Sequence, residues 1–430
     1  MTLDFLSDLR CRGLLHQVTD EALATEALAA GPVTAYIGFD PTAASLHVGS
    51  LLPVMTLIRL ALAGHRPIAL VGGGTGMIGD PSGKSSERKL LSDDLLLANV
   101  AALDGQLQRL FAHSGASVQM ADNGDWLRGL SLVGFLRDIG KHFSVNAMIQ
   151  RDSVKNRLQA REQGISYTEF SYMLLQAFDF LELYRRHGCV AQLGGSDQWG
   201  NIVSGMELVD RLARDEHGQL PAGRPFGVTM PLVTTKSGQK FGKSEAGAVW
   251  LDATLTSPYS FYQFWINADD DDLERWLNYF TLLDQPTIEA IVAQHHQAPH
   301  LRLGQKRLAL ELCKLVHPSE LATVQEASAV LFGGDPLQAS AATLRALAAE
   351  VPSFTVDRDS AVEQLLVGEG RPFASNGEAR RAIQAGAVTL SGLKWTGDLK
   401  AGLPAERWLH GRYVLIRKGK KDWSLAIGAV

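Results

Sequence analysis

Two segments of the chain combine glycine with residue types that bind phosphate groups. Residues 40–50 lead from a predicted strand into a predicted helix, with Gly49 near the helix start. A helix N-terminus presents unpaired N–H groups and partial positive charge, and a glycine lets a base or ribose approach the backbone closely. The second segment is the loop at 240–244, in which two lysines flank a glycine. Together the segments predict a site for a nucleoside triphosphate.

A third constellation lies on one predicted helix. The pattern Ser166-x-x-Glu169 is a capping box, which predicts a helix start there. Tyr172, Gln176 and Asp179 follow at i, i+4 and i+7, so they share one face among apolar neighbours. A polar stripe is usually a solvent face, but the opposite face has too few polar residues to be the exposed one. We therefore predict a buried polar pocket.

Two other phosphate motifs fit less well. The spacing Gly-x-Gly-x-x-Gly at 74–79 follows a predicted strand and matches the dinucleotide fingerprint. Residues 80–83, Asp-Pro-Ser-Gly, break the helix that should follow, and no strand with a terminal acidic residue comes about 20 residues later. Nicotinamide binding is therefore disfavoured. The Walker-like loops at 79–85 and 238–244 each lack one residue, although glycine beside lysine still suits a phosphate.

These strings resemble a known enzyme family. Residues 47–50 (His-Val-Gly-Ser) resemble the His-Ile-Gly-His signature of class I aminoacyl-tRNA synthetases, and 240–244 (Lys-Phe-Gly-Lys-Ser) resemble their Lys-Met-Ser-Lys-Ser loop. The strings at 36–42, 79–84 and 194–201 are similar to bacterial tyrosyl-tRNA synthetases, and the resemblance extends from about residue 5 to the C-terminus. One departure is that Ser50 stands where the second signature histidine usually lies, although a hydroxyl still donates and accepts hydrogen bonds.

The resemblance implies that the chain activates L-tyrosine with ATP and transfers tyrosyl to the 3′ end of tRNA(Tyr). Catalytic roles are implied for Thr42, His47, Lys84, Arg88, Lys240 and Lys243. Tyrosine binding is implied for Tyr36, Asp80, Tyr172, Gln176, Asp179 and Gln198, with Tyr36 and Asp179 at the phenol. ATP binding is implied for Gly38, Asp40, His47, Gly49, Ser50, Asp197 and Lys243. We expect Mg²⁺ to arrive with ATP and expect no protein-bound metal.

The elements that must position these residues alternate along the first part of the chain. Strand-like runs at 33–39, 67–71 and 189–193 alternate with helix-like runs at 54–63 and 201–214. Alternation of this kind predicts a parallel sheet wrapped by helices. The resemblance extends this to an α/β fold: a Rossmann-like parallel-sheet catalytic domain, then an α-helical domain, then a small α+β S4-like RNA-binding domain.

Four segments follow from the same reading. We predict a catalytic domain at 1–250, with its mobile signature loop at 240–244, and a helical anticodon-arm domain at 251–326. A linker is expected at 327–360 and the S4-like domain at 361–430.

The C-terminal part carries a concentrated positive charge. Residues 371–430 hold eleven Lys and Arg against four acidic residues, a balance of +7, whereas the whole chain is at −5 and residues 1–370 therefore at −12. A basic module on an acidic body suits RNA, although a solvated basic tail would show the same charge. The candidate RNA-contacting residues are Arg380, Arg381, Lys394, Lys418, Lys420 and Lys421. Trp395 and Trp408 are predicted to be core.

Composition limits the class of protein. Hydrophobic residues make up 46% and charged residues 20%, which is typical of a globular chain. No uncharged apolar stretch reaches about 18 residues, so we expect no membrane span. Residues 1–12 contain Asp4 and Asp8 and no apolar core, so we expect no signal peptide and no transit peptide. The three cysteines are far apart, which disfavours a disulfide framework. These features predict a cytoplasmic protein.

Two functions of different classes stay open at this level. The first is a tyrosine-activating ligase, for which tryptophan is the closest rival substrate; Tyr36 and Asp179 argue against it because an indole has no hydroxyl. The second is an RNA-binding regulator with an inactive nucleotide domain, which Ser50 makes conceivable. A homodimer through residues 135–148 is implied by the resemblance alone.

Overall fold

The computed structural model describes residues 4–80, 91–151, 154–155, 158, 165–234, 241–244 and 247–429, with only the backbone at 243–244. The chain forms two compact units. One comprises residues 1–255 and 267–316, and the other comprises residues 256–266 and 317–430.

The helices and strands of the described residues are named in chain order. The α-helices are α1 (Phe5–Cys11), α2 (Glu21–Ala30), α3 (Leu51–Leu62), α4 (Asp93–Ser114), α5 (Gly124–Leu127), α6 (Leu132–Asp138), α7 (Val145–Ile149), α8 (Tyr167–His187), α9 (Trp199–Leu212), α10 (Pro258–Ile266), α11 (Asp270–Phe280), α12 (Gln285–Gln297), α13 (Leu303–Val316), α14 (Leu321–Leu331), α15 (Ala341–Leu347), α16 (Val362–Leu366) and α17 (Asn376–Gln384). The strands are β1 (Gln17–Val18), β2 (Thr34–Phe39), β3 (Arg66–Val71), β4 (Gln119–Asp122), β5 (Cys189–Gly195), β6 (Phe226–Met230), β7 (Lys243–Ser244), β8 (Gly247–Ala248), β9 (Ser353–Val356), β10 (Val388–Leu390), β11 (Leu393–Lys394), β12 (Tyr413–Lys418) and β13 (Asp422–Gly428).

The first unit is built on a sheet with the strand order β1-β6-β5-β2-β3-β4. Strands β2 to β6 run parallel to their neighbours, and β1 adds an antiparallel edge. Strands β2, β3 and β5 are apolar and buried along nearly their whole length, as expected for strands covered by helices on both faces. The predicted Rossmann-like parallel sheet is confirmed.

Local sequence explains where the two helices that flank the site begin and end. Helix α3 begins at Leu51, two residues before Pro53, as expected because proline is tolerated in a first helical turn, and Gly64 follows its end with φ +89°. Helix α8 begins after Ser166, whose Oγ accepts a hydrogen bond from the Glu169 N–H at 3.2 Å. It ends at His187 and is capped by Gly188, which has φ +60°. The predicted cap at Ser166 is therefore present.

A buried arginine connects α3 to the end of α11. Arg59 is 5% exposed and donates to the carbonyls of Asn278 (3.0 Å), Tyr279 (3.1 Å) and Thr281 (2.7 Å). Its Nε lies 3.5 Å from a carboxylate oxygen of Asp8 in α1. The last carbonyls of a helix have no partner within the helix and carry partial negative charge. Arg59 thus fixes α11 against the helices of the sheet.

The second unit contains a sheet in the order β11-β10-β12-β13-β9, with β9 parallel to β13. Its core includes Phe373, Trp395 and Trp408, so the expectation that both tryptophans are core is met. Helix α17 is capped by Ser375, whose Oγ accepts from the Glu378 N–H at 3.3 Å. Within residues 327–360, α15 and β9 belong to this unit.

Two further observations concern the whole described chain. Within the described ranges, no helix is both long enough and apolar enough to cross a bilayer. Cys11, at the end of α1, is exposed, whereas Cys189 and Cys313 are buried.

Candidate active site

A cavity of about 500 Å³ opens at the carboxyl ends of β2 and β5. Strands β3 and β4 lie on one side of β2 in the sheet, and β5 and β6, which follow later in the chain, lie on its other side. The strand order reverses between β2 and β5, and open parallel sheets bind ligands at such a reversal. The predicted site residues that line the cavity are Tyr36, Gly38, Asp40, His47, Gly49, Asp80, Tyr172, Gln176, Asp179, Asp197 and Gln198.

One end of the cavity holds a phenol beside a carboxylate. Tyr36, in β2, is 1% exposed, and its hydroxyl has no hydrogen-bond partner among the described residues. Asp179, in α8, is 2% exposed. Its two carboxylate oxygens accept hydrogen bonds from Asn123 Nδ2 at 2.9 Å and Trp126 Nε1 at 2.7 Å. A buried hydroxyl without a partner is costly, so this end is prepared for a polar ligand group.

Burial controls the ionisation of this pair. It raises the pKa of Asp179 to about 7, and the hydrogen bonds from Asn123 and Trp126 oppose that rise because they favour the carboxylate. The pKa of Tyr36 lies well above its usual value, chiefly because of burial and secondarily because of the Asp179 charge. Tyr36 therefore stays a neutral hydroxyl that can both donate and accept.

Asn123 and Trp126 were missed by the sequence analysis. Asn123 is 1% exposed, and its Oδ1 accepts from the Gly74 N–H at 2.7 Å while its Nδ2 also reaches Thr75 Oγ1 at 2.8 Å. It therefore orients Asp179 from the loop that follows β4. No periodic pattern marks this loop, and only its position after a parallel strand could have suggested a role.

The other polar end is a chain of amides that ends at a carboxylate. Asn201 Nδ2 donates to Gln176 Oε1 at 2.8 Å, and Gln176 Nε2 donates to Gln198 Oε1 at 3.1 Å. Gln198 Nε2 then donates to Asp80 Oδ2 at 2.8 Å. Tyr172 lines the cavity beside them. Asn201 lies in the quoted string at 194–201, but the sequence analysis gave it no role.

Two acidic side chains, Asp80 and Asp197, lie near these hydrogen-bonded amides. Asp197 also lines the cavity, and its pKa is raised by burial and then by the negative charge of Asp80. Two carboxylates in one cavity favour a cationic ligand group, which would relieve their repulsion. Among the described residues, no group of His, Cys, Asp or Glu is placed to hold a metal ion.

The first signature lies at the start of α3. His47 is exposed, and its Nδ1 accepts from the Gly49 N–H at 3.0 Å. A Cβ at Gly49 would lie 2.7 Å from His47 Cε1, so any other residue at this position would displace the histidine ring. Thr42 is exposed and Ser50 is half-buried, and neither is among the residues that line the cavity.

The second signature approaches the first along the backbone. The Val48 N–H donates to the Val249 carbonyl at 2.9 Å, and the Val249 N–H donates to the Gly242 carbonyl at 3.1 Å. Phe241 lines the cavity. The backbone of Lys243 lies in β7, which pairs with β8. The predicted residues Lys84, Arg88 and Lys240 lie outside the described residues.

The predicted RNA-contacting residues lie in the second unit. Arg380 and Arg381 are exposed on α17, and Lys394, Lys420 and Lys421 are exposed on or beside strands. Lys418 differs, because its Nζ donates to Glu378 at 2.8 Å and to the Pro372 carbonyl at 3.0 Å. Part of its charge is thus neutralised within the unit.

Comparison with known families covers both units. The family described as tRNA synthetases class I (W and Y) matches residues 28–333, and the tyrosine--tRNA ligase SYY-like C-terminal domain matches residues 343–426. The parallel sheet, the cavity at its strand reversal and these matches define a class I aminoacyl-tRNA synthetase.

Individual relatives narrow the family. The chain is 48% identical over 427 residues to a tyrosine--tRNA ligase of Geobacillus kaustophilus, covering 98% of this chain and 99% of the relative. Identity to that of Streptomyces coelicolor is 46%, covering 97% of both chains. A C-terminally truncated mitochondrial tyrosyl-tRNA synthetase of Aspergillus nidulans matches with a TM-score of 0.70 and 34% identity, covering 76% of this chain and 94% of its own. The chain belongs to the tyrosine--tRNA ligase family.

Proposed function

We propose that the cavity binds L-tyrosine and ATP, forms tyrosyl-adenylate with release of pyrophosphate, and delivers the tyrosyl group to the 3′ end of tRNA(Tyr). The observation that supports tyrosine as the substrate is that the Tyr36 hydroxyl, which has no partner among the described residues, lies in the same cavity as the Asp179 carboxylate. The phenol hydroxyl of a bound tyrosine would donate a hydrogen bond to the Asp179 carboxylate and would give the Tyr36 hydroxyl a hydrogen-bond partner. Phenylalanine or tryptophan would leave the buried Tyr36 hydroxyl unpaired, which costs free energy.

The opposite end of the amino acid is a zwitterion. We assign its ammonium group to Tyr172, Gln176 and Asp80, because an ammonium offers only donors and these side chains present oxygen acceptors. Gln198, which bonds to Asp80 at 2.8 Å, would hold the carboxylate through its amide once tyrosine is bound. The residues assigned to the ammonium group and those assigned to the phenol line the same cavity.

The chemistry needs positioning more than acid–base catalysis. The tyrosine carboxylate is already ionised at neutral pH, so it attacks the α-phosphorus without a general base. A bond forms between a carboxylate oxygen and phosphorus while the bond to the β-phosphate oxygen breaks, and that electron pair leaves with pyrophosphate. In the second step a ribose hydroxyl at the tRNA 3′ end attacks the acyl carbon. The bond between that carbon and the phosphate oxygen breaks, AMP leaves with the electron pair, and the hydroxyl proton is released to solvent. Negative charge grows on the leaving pyrophosphate, where fixed cations are most effective.

The roles of the ATP-binding residues rest on position and on the sequence signatures. His47 and Thr42 would donate to the phosphates from the start of α3. The cations assigned to pyrophosphate are Lys84, Arg88, Lys240 and Lys243, with Mg²⁺ accompanying ATP. The residues assigned to the adenosine part are Gly38, Asp40, Gly49, Ser50 and Asp197.

Tyrosine-dependent exchange of labelled pyrophosphate into ATP tests this function. We expect exchange with tyrosine and far weaker exchange with phenylalanine or tryptophan at equal concentration. Exchange that prefers tryptophan would overturn the substrate assignment. RNA binding with no exchange for any amino acid would favour the rival RNA-binding regulator.

We propose that the second unit binds tRNA through an S4-like domain at 361–430. In the rest of the chain we propose a catalytic domain at 1–250, a helical domain at 251–326 and a linker at 327–360. The +7 charge of residues 371–430 and the exposed Arg380 and Arg381 support this role. The cytoplasm remains the proposed location.

A homodimer is proposed through helices α6 and α7, around residues 135–148. Leu132 and Val133 are 72% and 75% exposed, and Val145 is 56% exposed. Several large apolar side chains exposed on neighbouring helices are typical of an interaction surface. Sedimentation of the chain and of Val133→Asp tests this, because a charge at the interface should shift a dimer towards monomer.

A further inference from the structure

Helix α4 carries two buried amide side chains that bind the chain between β2 and the first signature. Asn99 is 3% exposed and Gln106 is 4% exposed. Their positions differ by seven, so they share one face of the helix and lie about 10 Å apart along its axis. Buried amides are costly unless they are hydrogen-bonded, and both find their partners within residues 41–46.

Asn99 binds this segment at its start. Its Nδ2 donates to the Pro41 carbonyl at 3.1 Å. Pro41 is buried, and it directly precedes Thr42, which is exposed. The backbone that leads into Thr42 is therefore fixed to α4.

Gln106 binds the segment at its end. Its Oε1 accepts from the Leu46 N–H at 2.8 Å, and its Nε2 donates to Ser45 Oγ at 3.1 Å. Ser45 Oγ in turn donates to the Leu46 carbonyl at 2.7 Å and accepts from the Asp252 N–H at 3.1 Å. Ser45 and Leu46 are buried, whereas the next residue, His47, is exposed and lines the cavity. Each amide thus binds the backbone directly before one of the two residues assigned to the ATP phosphates.

We infer that Gln106 is a positioning residue for the ATP-dependent step, acting through the backbone that leads into His47. This inference rests on the proposed function, in which His47 donates to the phosphates. A group that is fixed before the ligand arrives loses less entropy on binding, and a misplacement of about 1 Å can lower a rate about a hundredfold. Gln106 is not among the cavity-lining residues. Its loss should therefore affect ATP and leave tyrosine binding in place.

The test measures pyrophosphate exchange and tyrosine binding for Gln106→Met, which keeps the length of the side chain and removes its hydrogen bonds. We expect a loss of about tenfold in kcat/KM for ATP, with the tyrosine dissociation constant unchanged within about twofold. Gln106→Glu keeps an acceptor for the Leu46 N–H and should recover part of the loss. Gln108→Met is the matched control, because Gln108 is exposed on the same helix and its Nε2 donates to Asp104 at 2.6 Å; it should match the parent chain.

A double variant separates the positioning of His47 from a general loss of structure. Because Gln106 acts through His47, Gln106→Met should reduce kcat/KM for ATP much less in a chain that already carries His47→Ala. The two losses should therefore be less than additive. A purely structural role for Gln106 would give the same loss in both chains.

Asn99→Leu keeps the test informative if Gln106→Met does not fold. It removes the hydrogen bond at the other end of the segment and should also lower kcat/KM for ATP without changing tyrosine binding. Unchanged ATP kinetics in the folded variants, equal losses for ATP and tyrosine, or full additivity with His47→Ala would overturn the inference. No exchange by the parent chain would instead contradict the proposed function.

Discussion

At the scale of single residues, the Tyr36 hydroxyl is the group whose environment says most about the ligand. It is buried, lines the cavity and lacks a hydrogen-bond partner among the described residues. In the ligand-free protein it therefore lowers the stability of the folded state. Its removal should therefore affect folding and substrate selection in opposite directions.

Tyr36→Phe is expected to leave the unfolding free energy unchanged or raise it by about 1 kcal/mol, because an unpaired buried hydroxyl disappears. The same change should lower kcat/KM for tyrosine more than for phenylalanine. Asp179→Ala should reduce discrimination further, since it also leaves Asn123 and Trp126 with unused donors. Denaturant unfolding and exchange assays with both amino acids measure this. An unchanged tyrosine/phenylalanine ratio in both variants would contradict the pocket assignment.

The raised pKa of Asp179 should also be visible in stability. The native pKa lies at about 7 against 3.8 for an ordinary side chain. Between these values the native state retains a proton that the unfolded state has lost, so this contribution is fully present below pH 3.8 and is lost as pH rises through 7. Asp179→Asn removes the titration. Urea unfolding of both chains across this range should show the parent losing stability relative to the variant as pH rises. Parallel curves of unfolding free energy against pH for the two chains would refute the raised pKa of Asp179.

At the scale of elements, the sequence analysis was most successful where a pattern repeats. The polar stripe Tyr172, Gln176 and Asp179 was readable because helical spacing places it on one face, and Ser166 marked the start. The strands were readable as apolar runs. Asn123 and Trp126 were not, because their role depends on β4 lying beside β3, and that pairing leaves no periodic signal. The hydrogen bonds from Arg59 to the end of α11 could not be predicted either, because they join residues that are far apart in the sequence.

Arg59→Met is expected to lower the unfolding free energy by about 3 kcal/mol, because it removes three buried, charge-assisted hydrogen bonds to the carbonyls at the end of α11. Arg12 still pairs with Asp8 at 2.7 Å and reaches the Asn278 and Thr281 carbonyls only at 3.4 Å. Arg66→Met is the control, since Arg66 is exposed at the start of β3 and should change stability little. Thermal and urea unfolding provide the measurement. Equal small effects from both substitutions would show that the carbonyl contacts contribute little.

At the scale of the whole molecule, the cavity is lined entirely by residues of the first unit, whereas the excess positive charge lies in the second. The charge contrast was predictable from composition. The assignment of 256–266 to the second unit was not, because it depends on contacts with residues more than fifty positions later in the chain.

A chain ending near Val351 should still form tyrosyl-adenylate, because every described residue that lines the cavity remains. It should lose transfer to tRNA, since the basic surface is gone. Pyrophosphate exchange and tRNA charging, measured side by side, decide the point. In the full-length chain, changing both Arg380 and Arg381 to Ala should weaken tRNA binding and flatten its salt dependence. Full tRNA charging by the shortened chain would contradict this division of roles.

The distribution of the cysteines has a practical consequence for measuring these events. Cys189 and Cys313 are buried, and burial raises the pKa of the Cys313 thiol to about 12 and that of Cys189 further, so neither supplies thiolate near neutral pH. Cys11 is exposed at the end of α1. A maleimide dye should therefore attach at one defined position per chain without any engineered cysteine. The natural sequence thus provides an attachment point for a site-specific fluorescent label at a residue that does not line the cavity.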